Sequence, residues 1–222
     1  MISQTEENYL KALYSLTHVK GDANVNEISK RLDIKMPTVN SMMKKLADKG
    51  FVHYESYKPL RLTEEGKKEA ALIIRKHRLT EMYLFQKMGF GWDEVHQIAE
   101  QIEHIHSPEF FSKMDELLGY PTVDPHGSPI PDQNGVMPLE NYVFLNTCKA
   151  GDMVTLMAVQ PSSKELLQYL TAKNLELGTT LTIKSIEPFD ESLTVAYKDR
   201  PIEVLSSKVT ATLLVRVITG LV

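Results

Sequence analysis

The sequence predicts a mainly α-helical protein with a small β domain: an N-terminal winged helix-turn-helix, a helical dimerisation segment and a C-terminal β-barrel. Three observations predict it. Residues 1–74 hold three short amphipathic runs, a hairpin signal and a capped helix start. Residues 75–120 keep helical spacing, with apolar positions recurring every three or four residues. Beyond a proline-rich linker at 121–144, residues 145–222 switch to short β-like runs.

The first helix is expected over 5–16, where Tyr9, Leu10, Leu13, Tyr14 and Leu16 fall at helical spacing, and Gly21-Asp22 breaks it. Asn24, with Glu27 three residues on, has the form of an N-terminal capping box, and Val25, Ile28 and Leu32 give a second helix one apolar face wide. A turn at 33–36 leads to Pro37, which suits the first helical position because its missing N–H would be orphaned there. The third helix runs to about Lys49 and stops at Gly50. On a wheel of about 100° per residue, Val39, Met43 and Leu46 lie on one side, and Thr38, Ser41, Lys44 and Lys45 on the other. A hairpin follows, with arms at 51–55 and 60–62, and Thr63 caps a long helix whose first residues, Glu64 and Glu65, suit its positive end. The same pattern would also suit an amphipathic bundle with a fortuitous hairpin.

That helix is expected to reach Met88 and end at Gly89 and Gly91, followed by helices over 93–106 and from Ser107-Pro108 to Gly119. Met82, Tyr83, Phe85, Met88, Phe90 and Trp92 make the region dense in large apolar groups, suiting either a core or the face of a dimer. Residues 120–140 carry five prolines and two glycines. Strands are then expected at 153–159, 179–186, 193–197, 202–205 and 211–217, with one helix at 163–173, which together suggest a small barrel of about 75 residues.

Composition narrows the function classes. The chain has 222 residues, 42% hydrophobic and 24% charged, with a formal net charge of −4. A single cysteine, Cys148, excludes an intrachain disulfide framework and a cysteine-based zinc finger, and a reducing compartment, the cytoplasm, is expected. No apolar run approaches the ~18 residues that span a bilayer, and the polar N-terminus lacks a signal-peptide layout, so no membrane partner is expected. The net charge hides a polarity. Residues 1–80 hold 15 basic against 10 acidic groups, whereas residues 81–140 hold 2 against 11 together with four of the seven histidines. A basic head suggests a polyanion and an acidic, histidine-bearing middle suggests a cation, although either block would suit a solvated face.

In a helix-turn-helix the second helix of the pair reads base edges near its N-terminus while Lys and Arg hold phosphates. The base-facing candidates are Lys35, Pro37, Thr38, Asn40 and Ser41, and the phosphate candidates are Arg31, Lys44, Lys45, Lys58 and Arg61. In the 93–106 helix, His96, Glu100, Glu103 and His104 fall within an arc of about 100°, and the preceding helix carries His77 and Glu81 at i and i+4. Such a face repels itself unless a cation neutralises it, and Glu and His pairs on facing helices are one way to build a metal site in a bundle. A pair of solvated helix faces is the plainer alternative. No enzyme is expected. His-Glu-x-x-His is absent, Glu100 stands where the inverted form needs its first histidine, and neither a Gly-rich phosphate loop nor a nucleophile elbow occurs.

With these residues in place the chain resembles the iron- and manganese-dependent metalloregulators of the diphtheria toxin repressor and manganese transport regulator type. The matching residues are Glu7-Asn8-Tyr9-Leu10, Pro37-Thr38-Val39, Lys76-His77-Arg78-Leu79 with Glu81, Val95-His96, Glu100, Glu103-His104 and Pro125-His126-Gly127. Residues 145–222 resemble the SH3-like domain, similar to ferrous transport protein A, of the longer members. The resemblance implies one metal site of Asn8, Glu100, Glu103 and His104, and an ancillary site of His77, Glu81 and His96. In some manganese-type members the linker contributes instead, which points here to Asp124 and His126 with Glu165. Asn8 stands where the family carries methionine or aspartate, and Glu100 where iron-type members carry cysteine; hard oxygen ligands at both favour Mn²⁺ or Fe²⁺. The implied function is a metal-dependent repressor of metal-homeostasis genes, a homodimer on a palindromic operator in double-stranded DNA, with one or two ions per chain as corepressor. A winged-helix sensor of a small organic ligand, or a metal-storage or delivery protein, would share many of the same features.

Overall fold

The computed structural model describes residues 2–218. These divide into two compact units: 2–80 with Ala99–Thr122 and Ile130–Pro138, and Glu81–Ile98 with Val123–Pro129 and 139–218.

The first unit opens with α1 (Gln4–Lys20), capped by Ser3 through a full capping box with Glu6 and closed by Gly21 at φ 83°. It runs four residues beyond the apolar stripe because nothing before Gly21 stops it. α2 (Val25–Leu32) carries the expected Asn24/Glu27 box. α3 (Met36–Asp48) starts one residue earlier than expected, so Pro37 is its second residue, a position whose N–H is also orphaned. Val39, Met43 and Leu46 are fully buried against Tyr9, Leu10, Leu13 and Ile28, the core of the reading head. β1 (Val52–His53) pairs with β2 (Arg61–Leu62), Val52 opposite Leu62, and Ala23 and Leu60 exchange both backbone hydrogen bonds to join the α1–α2 turn to the wing. α4 (Glu64–Met88) begins as Thr63 accepts from Gly66 N–H. Gly66 is required, since a Cβ there would lie 2.0 Å from the Phe51 carbonyl oxygen.

α5 is shorter than the sequence suggested, spanning Val95–Ile102 rather than 93–106. At its start Glu94 folds back to accept from Gly91 N–H, so Asp93 and Glu94 form the entry turn. At its end the chain must become extended at Ser107, which caps α6 (Pro108–Leu118), so the helix unwinds before His104. The proline-rich stretch is folded rather than a loose tether. Within the first unit Asp132 accepts from the Asn134 and Val136 N–H groups; within the second Asp124 accepts from His126 and Ser128.

The β domain of the second unit is a six-stranded antiparallel sheet in the order β3-β8-β4-β5-β6-β7: β3 (Val143–Phe144), β4 (Met153–Val159), β5 (Thr180–Ile186), β6 (Leu193–Tyr197), β7 (Arg200–Leu205) and β8 (Leu213–Val217). Bulges interrupt β4/β8, β5/β6 and β6/β7, and bulges bend strands. α7 (Lys164–Ala172) connects β4 to β5, and Leu167 and Leu170 join Val154, Leu156, Leu181 and Val195 in its core. Two short elements carry too little pattern to be read from sequence: β3, of two residues, and α8 (Ser207–Thr210), a single turn capped by Ser206.

Candidate metal centres and nucleic-acid interface

In the first unit a carboxylate–imidazole cluster gathers around Glu103, which is wholly buried. Leaving the helical path just after Ile102 lets Glu103 turn inward while its N–H still bonds Ala99 O at 2.9 Å. His77 Nδ1 of α4 lies 2.6 Å from Glu103 Oε2, and His104 Nε2 lies 3.5 Å from Oε1. On its other side the His104 ring meets α1, with Nδ1 2.5 Å from Glu7 Oε2. Two lysines enter the same cluster. Lys11 Nζ donates to both oxygens of Glu103, at 2.7 and 2.9 Å, and lies 3.8 Å from Glu100 Oε1; Lys76 Nζ lies 3.5 Å from Glu7 Oε1. Burial alone would raise the Glu103 carboxyl, but the His77 hydrogen bond and the Lys11 ammonium outweigh it and hold the group below its ordinary range.

Of the expected first site, Glu103 and His104 meet directly, and Glu100 approaches through Lys11 while remaining exposed. Asn8 is half-buried, and the α1 side chain that bonds His104 is that of its neighbour Glu7. Glu7, Lys11 and Lys76 were not expected here. Glu7 and Lys11 stand at i and i+4 with opposite charge, which a sequence presents as an ordinary surface pair.

The second unit holds another cluster. Glu81, 2% exposed, has Oε1 3.1 Å from His96 Nδ1 and Oε2 3.7 Å from His126 Nδ1, while Asp124 Oδ1 lies 3.9 Å from the same His126 nitrogen. Ligand-type atoms of Glu81, Asp124 and His126 all fall within 4.8 Å of one another. Glu81 thus belongs at once with His96 and with the pair Asp124/His126, two sets that the sequence presented as alternatives. His77 stands one helical turn before Glu81 on α4; ligand-type atoms of His77, Glu81 and His96 also fall within 4.8 Å of one another, while His77 Nδ1 lies 2.6 Å from Glu103 Oε2. Glu165 is exposed in the first turn of α7, its carboxyl lowered by its own backbone N–H and by Ser163; the structure does not gather it with Glu81, Asp124 and His126.

His126 tests whether this donor set fits a cation. Its Nε2 lies 2.7 Å from the Trp92 carbonyl oxygen, an acceptor only, so Nε2 carries the hydrogen. In the neutral ring Nδ1 then directs a lone pair toward two buried carboxylates. A proton or a metal ion between these groups relieves the facing electron pairs, and a backbone carbonyl fixing the far nitrogen is the usual support of a metal-binding histidine. The β domain holds this support in place. The His126 carbonyl accepts from Val159 N–H, the Trp92 indole donates to Thr171 Oγ1 at 2.9 Å, and Gln168 donates to Asp93 at 3.0 Å. The lone-pair donors of both clusters are carboxylate oxygen and imidazole nitrogen, a donor set that fits Mn²⁺ or Fe²⁺.

The nucleic-acid candidates lie mostly on the surface of the first unit. Arg31, Lys35, Pro37, Thr38, Ser41, Lys44, Lys58 and Arg61 are exposed and Asn40 is half-exposed. Three phosphate candidates already have partners: Lys58 pairs with Glu55, Arg61 lies 3.3 Å from Asp22, and Lys45 lies 3.3 Å from the buried Glu6. Glu6, with Ser3 N–H on one oxygen and Lys49 2.7 Å from the other, is a residue that sequence reasoning left out. Lys49 approaches off the hydrogen-bonding direction, so that contact is ionic.

Comparison with known proteins agrees with this geometry. Residues 1–60 match the model "Iron dependent repressor, N-terminal DNA binding domain", residues 63–132 match "Iron dependent repressor, metal binding and dimerisation domain", and residues 143–217 match the FeoA domain, the SH3-like fold expected of the β domain. The chain is 33% identical over 163 residues to the iron-dependent repressor IdeR of Mycobacterium tuberculosis, covering 70% of this chain and 71% of that protein. It is 30% identical over 191 residues to the diphtheria toxin repressor of Corynebacterium glutamicum, covering 81% and 83%. A solved structure of a manganese-dependent transcriptional repressor in complex with manganese superposes with a TM-score of 0.89 at 28% identity, over 96% of this chain and all of that one. The chain belongs to the iron-dependent repressor family of metal-dependent, DNA-binding transcriptional regulators.

Proposed function

We propose that this protein represses metal-homeostasis genes as a homodimer on a palindromic operator, with Mn²⁺ or Fe²⁺ as corepressor. The observation that carries the reading is that α1, part of the DNA-reading head, reaches directly into the Glu103–His104 cluster through Glu7 and Lys11. One centre uses Glu103 and His104 with Glu7, His77 and Glu100 around them; the other uses Glu81, Asp124 and His126 with His96. A bound divalent ion supplies positive charge that joins these carboxylates and imidazoles and takes part in no reaction. Glu7 passes a change at the first centre to α1. Leu10 and Leu13 of α1 pack in one core with Val39 and Met43 of the recognition helix, so a shift of α1 moves the reading surface. Coupling of this kind is reciprocal: operator DNA tightens ion binding by the factor by which the ion tightens DNA binding.

Two copies are needed for a two-fold operator. The helical segment offers an apolar face for this, with Phe110 42% and Leu117 58% exposed on α6. Relatives support the metal choice: solved regulators in this set are described as manganese-dependent, and one was solved with bound Cd²⁺. The test is anaerobic titration of Mn²⁺ into chelator-stripped protein, followed by the free-ion EPR signal, with operator affinity measured in parallel. Mn²⁺-dependent DNA binding, weakened tenfold or more by Glu103→Gln, is expected. Metal binding without any effect on DNA affinity would instead support storage or delivery, and DNA binding indifferent to metal would point to an organic effector.

A further inference from the structure

We propose that Lys11 is a tethered cation that competes with the metal for Glu103 and so sets the concentration at which the first centre fills. This rests on the reading of Glu103 as a ligand. A carboxylate has about four lone-pair positions on two oxygens. Around Glu103 these face Lys11 Nζ at 2.7 and 2.9 Å, His77 Nδ1 at 2.6 Å and His104 Nε2 at 3.5 Å. The two imidazoles are themselves ligand-type groups and can turn to an ion. An ammonium cannot, because it has donors and no lone pair. Lys11 is therefore the one neighbour in this set that must give way rather than join in.

The position of Lys11 makes the exchange consequential. Glu103 is wholly buried and the Lys11 side chain is 20% exposed, so the pair sits largely out of water, where a charge-assisted contact is strong. Lys11 also lies 3.8 Å from Glu100, a second expected ligand, so one side chain stands against two. Releasing its bonds and placing a divalent ion nearby both oppose filling, and the two effects share a sign. Neither depends on which ion arrives. Lys11 thus raises the threshold for all divalent ions by a common factor and leaves their rank order to the ligands. The same residue gives α1 a hold on Glu103 that does not require an ion.

The test compares wild type with Lys11→Met, Lys11→Gln and Lys11→Arg, with Glu103→Gln as a control on the site. Mn²⁺ and Co²⁺ affinities come from anaerobic titration, and melting temperatures are measured with chelator and with Mn²⁺. Lys11→Met and Lys11→Gln should bind both ions about tenfold more tightly at one site, the size of one exchanged charge-assisted hydrogen bond. Lys11→Arg should stay near wild type. Metal-free Lys11→Met should melt lower, with a larger rise on adding Mn²⁺. Should Lys11→Met prove too unstable to handle, Lys11→Gln keeps a neutral donor to Glu103 and carries the same test. Unchanged or weaker affinity in the neutral variants, while Glu103→Gln abolishes the site, overturns the role of Lys11 alone. If Glu103→Gln leaves every site intact, the ligand assignment itself falls.

Discussion

Glu6 links two parts of the reading head, and replacing it with Gln isolates its charge. Glutamine at this position can still accept from Ser3 N–H and keep the capping box, while the contacts with Lys49 at 2.7 Å and Lys45 at 3.3 Å lose their ionic character. Burial would raise the Glu6 carboxyl, yet Lys49, the Ser3 backbone and hydroxyl, and Lys45 hold it at about 2, below its ordinary 4.5. A displacement of that size corresponds to about 3 kcal/mol as a ceiling. Lys45 and Lys49 are 57% and 35% exposed, so solvent screening reduces the expected loss on Glu6→Gln to about 1–2 kcal/mol at pH 7. The folded value lies below the unfolded one, so this stability is complete above about pH 4.5 and disappears as pH falls through the folded value near 2. Urea unfolding of both proteins at pH 7, 5, 4 and 3.5 reads it directly: the gap between them should narrow by roughly a third to a half at the lowest pH. A gap constant across the series would show that shape or capping, not charge, makes Glu6 matter, and the ionic tie between α1 and α3 would be refuted.

Three further outcomes are expected. Lys44→Ala, at an exposed lysine 5.9 Å from the Tyr54 ring centroid, should weaken binding to all DNA sequences alike and lower the salt slope by about 0.9; a loss confined to one base position would contradict a phosphate role. Gly127→Ala would place a Cβ 2.0 Å from the Met157 carbonyl oxygen at a φ of +84°, so denaturation should show a loss of about 2 kcal/mol or more and Mn²⁺ titration should show damage at the Glu81–Asp124–His126 centre. Thr171→Val removes the acceptor of the single tryptophan's indole N–H; the emission spectrum should shift and the affinity of that centre fall, by less than the roughly tenfold expected on losing a group that bonds a ligand directly.

The reading head was legible because its signals are local. The Asn24/Glu27 box, the Val39–Met43–Leu46 spacing and the Thr63 cap each involve residues within a few positions of one another, and each is where the periodicity put it. The clustering His and Glu residues were legible as residue types, since His and Glu at helical spacing stand out in an acidic block. Their partners were not. Lys11 meets Glu103 across 92 residues and His104 meets Glu7 across 97, and no local pattern carries such pairings. The wheel drawn for 93–106 also assumed one helix, and the arc it produced was dissolved by a chain that leaves α5 after Ile102 to reach the Ser107 cap. Orientation was equally hidden: His126 is turned by the Trp92 carbonyl, 34 residues away in sequence.

The charge polarity along the chain takes a different meaning once folded. A basic head and an acidic middle suggest two separate faces, yet basic side chains of residues 1–80 answer buried acids of the middle: Lys11 on Glu103, and Arg75 on Asp115. The two centres therefore differ in kind. The Glu103 cluster is entered by the Lys11 ammonium of α1, and α1 shares a core with the recognition helix through Leu10 and Leu13. The Glu81–Asp124–His126 cluster is braced by β4 and by the Trp92–Thr171 bond, so its geometry depends on the β domain being folded. On the proposed reading, an ion at the first centre would change what α1 holds, whereas an ion at the second would complete a site that the β domain has already shaped. Loss of DNA response with metal binding preserved should accordingly follow damage to the α1 contacts, and loss of one metal site with the reading head intact should follow damage to the β-domain brace.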